Sequence, residues 1–386
     1  MSIFTFQTVP VIRFGEGCLF ELAAQIVALR ASRPLIVTDK GIVSAGLIAP
    51  VVQALADAGL TAQVFDDVVA DPPEAIVMQA IDIATETGVD IVIGLGGGSS
   101  LDTAKIVAAL AVEGAQPISG IYGVGKLEKR GLPTILIPTT SGTGSEVTAI
   151  SILTTGKTTK AGIVSPHLYA DIAILDPALT LGLPADVTAA TGIDAMVHAI
   201  EAYTGRHAKN PMSDMLAIEA LKLLTANMET ACRNGSNMVA REAMLRGSML
   251  AGQAFANSPV GAIHALAYPL GGIYHVPHGL SNALVMPHIM QFNLEVAAPL
   301  YAELADALNL PRGEENSVEA RAQKLIDYLE GLAVKVKAPR KLREVGIKQD
   351  ATDELAATAM LQTRLLVNNP REVTLEDAQR IYENAW

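Results

Sequence analysis

The sequence predicts a two-part protein: an α/β N-terminal domain with a parallel sheet over residues 1–180, and an all-helical C-terminal domain over residues 181–386. Three observations predict it. Short β-branched runs alternate with longer helical patterns through the first half, no convincing strand follows residue 180, and one strand runs straight into a glycine triplet that opens a helix. Such alternation builds a parallel sheet covered on both faces, with its ligand crevice at the carboxyl ends of the strands.

Each element follows from local pattern. Residues 34–38 read as a buried strand, 43–58 as a helix and 61–65 as a strand. Residues 74–87 carry Ile76, Ala80, Ile83 and Ala84 at helical spacing, and 90–95 form the next strand. Helical spacing resumes over 101–106, and 133–137 return to strand. The character changes near Leu179 to Pro184, where Pro184 precedes a fresh helix start. Beyond it, residues 187–203, 213–232, 237–256, 295–308, 318–332 and 352–366 all read as helices.

The chain has 386 residues, 50% hydrophobic and 18% charged, and a net charge of −12, enough length for two or three domains with cores of their own. The acidic balance offers no basic stripe for phosphate backbones and argues against a nucleic-acid partner. Cys18 and Cys232 are too few for a disulfide scaffold and read as packed thiols. The residues from Met1 to Phe6 lack a basic leader or an apolar run, so a cytoplasmic location is expected. Residues 247–294 are 48 consecutive positions without Asp, Glu, Lys or Arg, and hold four of the seven histidines. Pro259, Pro269, Pro277 and Pro287 interrupt this run, so it is not expected to span a membrane.

The glycine turn points to a phosphate ligand. Gly96, Gly97 and Gly98 let the backbone approach a pyrophosphate closely, and Ser99 or Ser100 can cap the helix that follows, whose N-terminus favours an anion. No convincing acid follows at the spacing of the ordinary dinucleotide fingerprint; Asp39, directly after the strand at 34–38, is the better candidate for a ribose. The order is therefore not the standard Rossmann one. A second loop after a strand, Pro138 to Thr148, offers Thr139, Thr140, Thr143 and Thr148 as uncharged hydrogen-bonding groups.

Asp194 and His198 lie four apart on an otherwise apolar helix and so share a face. An Asp in apolar surroundings calls for a partner charge, which a divalent cation would supply. With His264 and His278 from the uncharged run, they make a plausible mononuclear site for Fe2+, Zn2+ or Mn2+. His167, His207 and His288 are expected to be structural or exposed.

Together these residues resemble the iron-dependent (group III) alcohol dehydrogenase family, of the dehydroquinate synthase-like superfamily. The likeness covers nearly the whole chain, through residues 96–105, 138–148, 192–201, 277–279 and 369–374. It implies a dehydroquinate synthase-like fold in which Asp194, His198, His264 and His278 are the metal ligands. Gly97, Gly98 and Ser99 would hold the pyrophosphate of NAD, with Asp102, Thr139, Thr140, Thr143, Thr148 and Lys160 completing the dinucleotide site. An acid at the position of Asp39 favours NAD over NADP by repelling a 2′-phosphate. Where many relatives carry a histidine four residues after the third ligand, this chain has Tyr268, so Tyr268 or His275 is left to move the proton. Asp71, before Pro72, stands where some relatives have Asn.

The function expected from this likeness is reversible oxidation of a small uncharged primary alcohol to its aldehyde, with Phe255 as an apolar wall of the substrate pocket. The absence of Lys and Arg from residues 247–294 favours an uncharged substrate. Glycerol dehydrogenase and maleylacetate reductase are the alternatives within the chemistry, and a dehydroquinate synthase-like lyase the alternative outside it. A homodimer is the expected assembly.

Overall fold

The computed structural model describes residues 3–156, 159–315 and 317–386, and the chain divides into two compact units. One is Thr8–Gly182; the other is residues 3–7 together with Leu183–Trp386.

The first unit is built in chain order from β1 (Val11–Phe14), α1 (Leu22–Ala28), β2 (Pro34–Asp39), α2 (Lys40–Ser44), α3 (Ile48–Asp57) and β3 (Gln63–Val68). It continues with α4 (Glu74–Glu86), β4 (Ile91–Gly96), α5 (Gly98–Leu110), β5 (Gly123–Val124), β6 (Thr134–Pro138), β7 (Ile150–Thr155), β8 (Thr159–Val164) and β9 (Ile172–Leu175). Six strands form a parallel sheet in the order β1-β9-β6-β4-β2-β3. The residues of β4 alternate between two covered faces. Ile91, Ile93 and Leu95 pack with Leu22, Ile26, Val51 and Leu55 of α1 and α3. On the other face Gly94 admits α5 so closely that a Cβ there would lie 2.9 Å from that of Ala104. The chain leaves β2 for β3 at the edge and returns to β4 on β2's other side, so the carboxyl ends of β2, β4 and β6 lie side by side. A crevice belongs at such a reversal of strand order. A smaller sheet, β5-β8-β7, carries the antiparallel β7–β8 pair.

The second unit is helical: α6 (Ala185–Thr204), α7 (Pro211–Arg233), α8 (Met238–Asn257), α9 (Ala262–Tyr274), α10 (His278–Ala307), α11 (Val318–Lys335), α12 (Thr352–Ala359), α13 (Thr363–Leu366) and α14 (Leu375–Ala385). Among the described residues of Leu183–Trp386 there is no strand. α6 is its axis, buried almost throughout from Thr188 to Thr204 and packed against α7, α8 and α10. None of the described helices is long and apolar enough to cross a membrane.

Several elements differ from the sequence reading. The helix expected over 43–58 is two helices, because Gly46 takes a φ of 74° between them. The one expected over 352–366 likewise breaks into α12 and α13. Ser99 and Ser100 do not cap α5: the helix starts one turn earlier, at Gly98 after Gly97, and both serines lie within it. The uncharged run is largely helix. α9 contains Pro269, and α10 begins at His278 and continues through Pro287 and Pro299, so His288 lies within a helix rather than before one. Burial of the surrounding apolar residues outweighs the hydrogen bond each proline removes. β1, a half-buried four-residue strand, carries a weak local signal, whereas α14, an amphipathic helix opened by the Thr374–Asp377 capping box, carries a strong one and lies beyond the last helix expected from the sequence.

Candidate functional site

At the carboxyl ends of three neighbouring strands, Asp39 closes β2, Gly97 follows β4 and Thr139 follows β6. Gly96 has φ +147°, and a Cβ there would lie 2.7 Å from Ser100 Oγ. At Gly98 a Cβ would lie 2.8 Å from the methyl of Thr143, and Gly97 faces Thr140. The glycine turn and the threonine loop are thus packed on each other, with Thr139 donating its N–H to Gly96 O at 3.0 Å. Thr139 Oγ1 is buried without a partner. A glycine-lined helix start, an orphaned hydroxyl and a strand-end carboxylate fit a dinucleotide.

Asp39 also serves the fold: Oδ1 accepts from Ile42 N–H at 3.0 Å, capping α2, and Oδ2 accepts from Ser100 Oγ at 3.1 Å. Lys160 Nζ donates to Asp71 Oδ1 at 2.7 Å, and Asp71 holds a left-handed φ of 51°. Asp102 and Thr148 belong to a buried network that the sequence reading did not single out. Its centre is Lys105, whose Nζ donates to Ser145 Oγ at 2.8 Å, Thr148 Oγ1 at 3.2 Å and Ile150 O at 2.7 Å. Asp102 accepts from Ser145 Oγ at 2.6 Å and Ile152 N–H at 2.8 Å. Burial pushes the Asp102 carboxyl up and the Lys105 ammonium down, each opposed by the other's charge. The signal for Lys105 was available: a lysine one turn after Asp102 on an apolar helix.

In the helical unit, α6 supplies Asp194 and His198, α9 supplies His264 and α10 supplies His278 as its first residue. Candidate ligand atoms of Asp194, His198 and His264 all lie within 4.8 Å of one another, and all three residues are buried. Asp194 Oδ1 is 3.8 Å from His198 Nε2, 3.6 Å from His264 Nε2 and 3.5 Å from His278 Nε2. Ligands about 2.1 Å from a tetrahedral divalent ion stand about 3.4 Å apart, close to the distances from Asp194 Oδ1 to the three imidazoles. Of these, His198 and His264 are nearly parallel and His278 is tilted 53° to His264, so this donor set fits such an ion. Gly279 permits the convergence, since a Cβ there would lie 2.0 Å from the Ala190 carbonyl of α6. The His278 side chain is 32% exposed and that of Asp194 3%, so the cluster opens to solvent on its His278 side.

Burial opposes charge on Asp194, but His198, His278 and His264 outweigh it and hold the carboxyl well below the usual range. Burial likewise disfavours charge on His264, yet Glu201 and Asp194 push its imidazole up to about 9. Phe255 stacks on His198 with ring centroids 4.2 Å apart, and His198 on His264 at 4.8 Å. Tyr268 lies 5.9 Å from the His278 ring. His275 stands apart, exposed at the C-cap of α9 with a left-handed φ of 56°. Asn282, one turn after His278, donates to Asp194 Oδ1 at 2.6 Å, while its own Oδ1 is buried without a partner. Asn282 and Glu201 were missed in the sequence, although each sits at helical spacing from a proposed ligand.

The chain matches two family descriptions: "Iron-containing alcohol dehydrogenase" over residues 10–177 and "Fe-containing alcohol dehydrogenase family, C-terminal" over residues 188–386. It is 41% identical over 388 residues to long-chain-alcohol dehydrogenase 1 of Geobacillus thermodenitrificans (strain NG80-2), covering 100% of this chain and 98% of that protein. The crystal structure of a 1,3-propanediol oxidoreductase matches with a TM-score of 0.95 and 32% identity over 100% of both chains. Sulfoacetaldehyde reductase from Bifidobacterium kashiwanohense, solved in complex with NAD+, matches with a TM-score of 0.88 and 29% identity over 100% of this chain and 99% of that one.

Proposed function

The chain belongs to the iron-containing alcohol dehydrogenase family and is an oxidoreductase of alcohols and aldehydes; on that premise we propose that it interconverts a small uncharged primary alcohol and its aldehyde with NAD(H). Asp194, His198, His264 and His278 would hold one divalent cation, Fe2+, which when bound supplies Lewis-acid polarisation of the substrate oxygen. NAD+ when bound, on Gly97, Gly98 and Ser99 with Thr139, Thr140, Thr143, Thr148 and Lys160 around it, supplies the hydride acceptor.

The chain's own residues do the rest. Asp194 contributes the single negative charge of the donor set, and the three histidines contribute neutral nitrogens. Phe255 holds the His198 ring flat and gives the pocket an apolar, water-excluding wall. The alcohol proton would leave either through Tyr268 beside His278, whose phenol takes it up only while passing its own hydrogen on toward solvent, or through the exposed His275. No ammonium or guanidinium in residues 247–294 is present to pair a substrate carboxylate or sulfonate, which supports an uncharged alcohol. Asp39 disfavours a 2′-phosphate and so selects NAD over NADP. The same reading makes the protein a cytoplasmic homodimer.

The observation that carries the proposal is the approach of three imidazole Nε2 atoms to within 3.8 Å of one buried carboxylate oxygen. Elemental analysis of the purified protein, coupled to NAD+- and NADP+-linked assays over a panel of alcohols, tests it. His264→Ala should lose both the bound metal and NADH-linked turnover; full turnover in a metal-free variant would sink it.

A further inference from the structure

We infer that Glu201 is the positioning residue of the cation site, fixing both the tautomer of His264 and the start of the helix that carries it. The inference rests on the reading of Asp194, His198, His264 and His278 as ligands. Glu201 follows Asp194 by seven residues and His198 by three, so one face of α6 presents two ligands and the carboxylate that serves a third.

That carboxylate is 5% exposed. Its Oε2 lies 2.6 Å from His264 Nδ1, and its Oε1 accepts from Ile263 N–H at 2.7 Å. Among the described residues its ion-pair partner is His264, with no lysine or arginine beside it. An ionised carboxylate can only accept, so the contact places an imidazole hydrogen on Nδ1; in the neutral ring that a cation needs, the Nε2 lone pair is then the one left on the side of Asp194 Oδ1, 3.6 Å away. α9 opens at Gly261 without a side-chain cap of its own, and Ile263 N–H is one of the donors a helix start leaves over. Glu201 satisfies that donor from α6. One side chain therefore sets where α9 begins and how its histidine, three residues into the helix, is turned.

Glu201→Gln separates this role from simple packing. Its single amide oxygen can serve Ile263 N–H or His264 Nδ1–H, and its NH2 must then face the other. Kept on Ile263, the amide donates to Nδ1 and drives the ring hydrogen to Nε2, where it blocks coordination. Zn2+ affinity of the metal-free protein, measured by competition with a chromophoric chelator, should fall about 10- to 100-fold in Glu201→Gln. Placed in a His264→Ala background, the same substitution should weaken Zn2+ binding by less than about twofold further, because its effect acts through His264.

The parent protein gives an independent measure that survives if the variant does not fold. In 15N-histidine-labelled, Zn2+-loaded protein, the resonances absent from His264→Ala should report a ring protonated at Nδ1 and coordinating through Nε2. A merely structural glutamate would shift the thermal midpoint and leave that pattern to chance. Unchanged Zn2+ affinity in Glu201→Gln, or coordination through His264 Nδ1, would overturn the inference while leaving the ligand set standing. Equal Zn2+ affinity in His264→Ala and the parent would overturn the ligand set itself.

Discussion

Asp39 combines two roles at the end of β2, and they can be separated. Its charge is the proposed discriminator against a 2′-phosphate, and its Oδ1 is the N-cap acceptor of α2. Asp39→Asn keeps an oxygen for Ile42 N–H and removes the charge. The NAD+/NADP+ ratio of kcat/KM should narrow by about tenfold, on the order of the 1.4 kcal/mol that one removed repulsion is worth, with the thermal midpoint little changed. An unaltered ratio would refute the assignment. His288 illustrates a titration set by place in the fold. Burial, with Lys341 and Arg340 nearby, lowers its imidazole to about 4 from an ordinary 6.5. The unfolded chain therefore takes up this proton first as pH falls, so the contribution to stability is complete above 6.5 and is lost as pH drops through 4. It amounts to at most about 3 kcal/mol. His288→Gln should flatten the fall of the urea midpoint between pH 6.5 and 4; an equal fall in both proteins would contradict the account.

At the scale of elements, the cation site depends on how closely two helices approach and where a third stops. α10 can reach α6 because Gly279 puts no Cβ against the Ala190 carbonyl. Gly279→Ala should destabilise by about 1–3 kcal/mol through overpacking, displace His278 and reduce bound metal, read by urea unfolding and elemental analysis. Parent values for both would show that the contact is dispensable. α9 ends with His275 N–H on Gly271 O and Val276 N–H on Leu270 O, and the left-handed turn at His275 starts the chain toward His278. His275 thus has a structural role that its place among the histidines of the uncharged run did not suggest. In the first unit, the same economy brings the glycine turn against the threonine loop, because β4 and β6 pair in register from Val92 and Thr134 to Gly96 and Pro138.

Over the whole molecule, all four proposed ligands lie in the unit that contains Leu183–Trp386, and so does Trp386, the single tryptophan. Its fluorescence therefore reports on the unit that a cation stabilises. A cation at a hundred times its Kd contributes about 2.7 kcal/mol, so a chelator should lower the midpoint followed by Trp386 by several degrees, at roughly 2–4 °C per kcal/mol for a unit of this size. An unmoved midpoint would mean that no cation binds the folded state there. Much of this organisation was legible in local pattern. The strand–glycine–helix turn at 90–106, the Asp194–His198 spacing and the change of character near Pro184 depend on residues close in sequence, where periodicity and backbone sterics act directly. β1, the β7–β8 pair and the proline-containing first half of α10 were not legible, since pairing and burial by distant segments override weak local preference. By itself, the sequence determined the α/β and helical character of the two halves and the residue types able to hold a nucleotide and a cation. Only the tertiary structure decided that Asp39, Gly97 and Thr139 share one end of the sheet, and that His264 and His278 meet Asp194. It also decided that Glu201 turns His264, because those distances depend on strand order and helix packing between segments far apart in the chain.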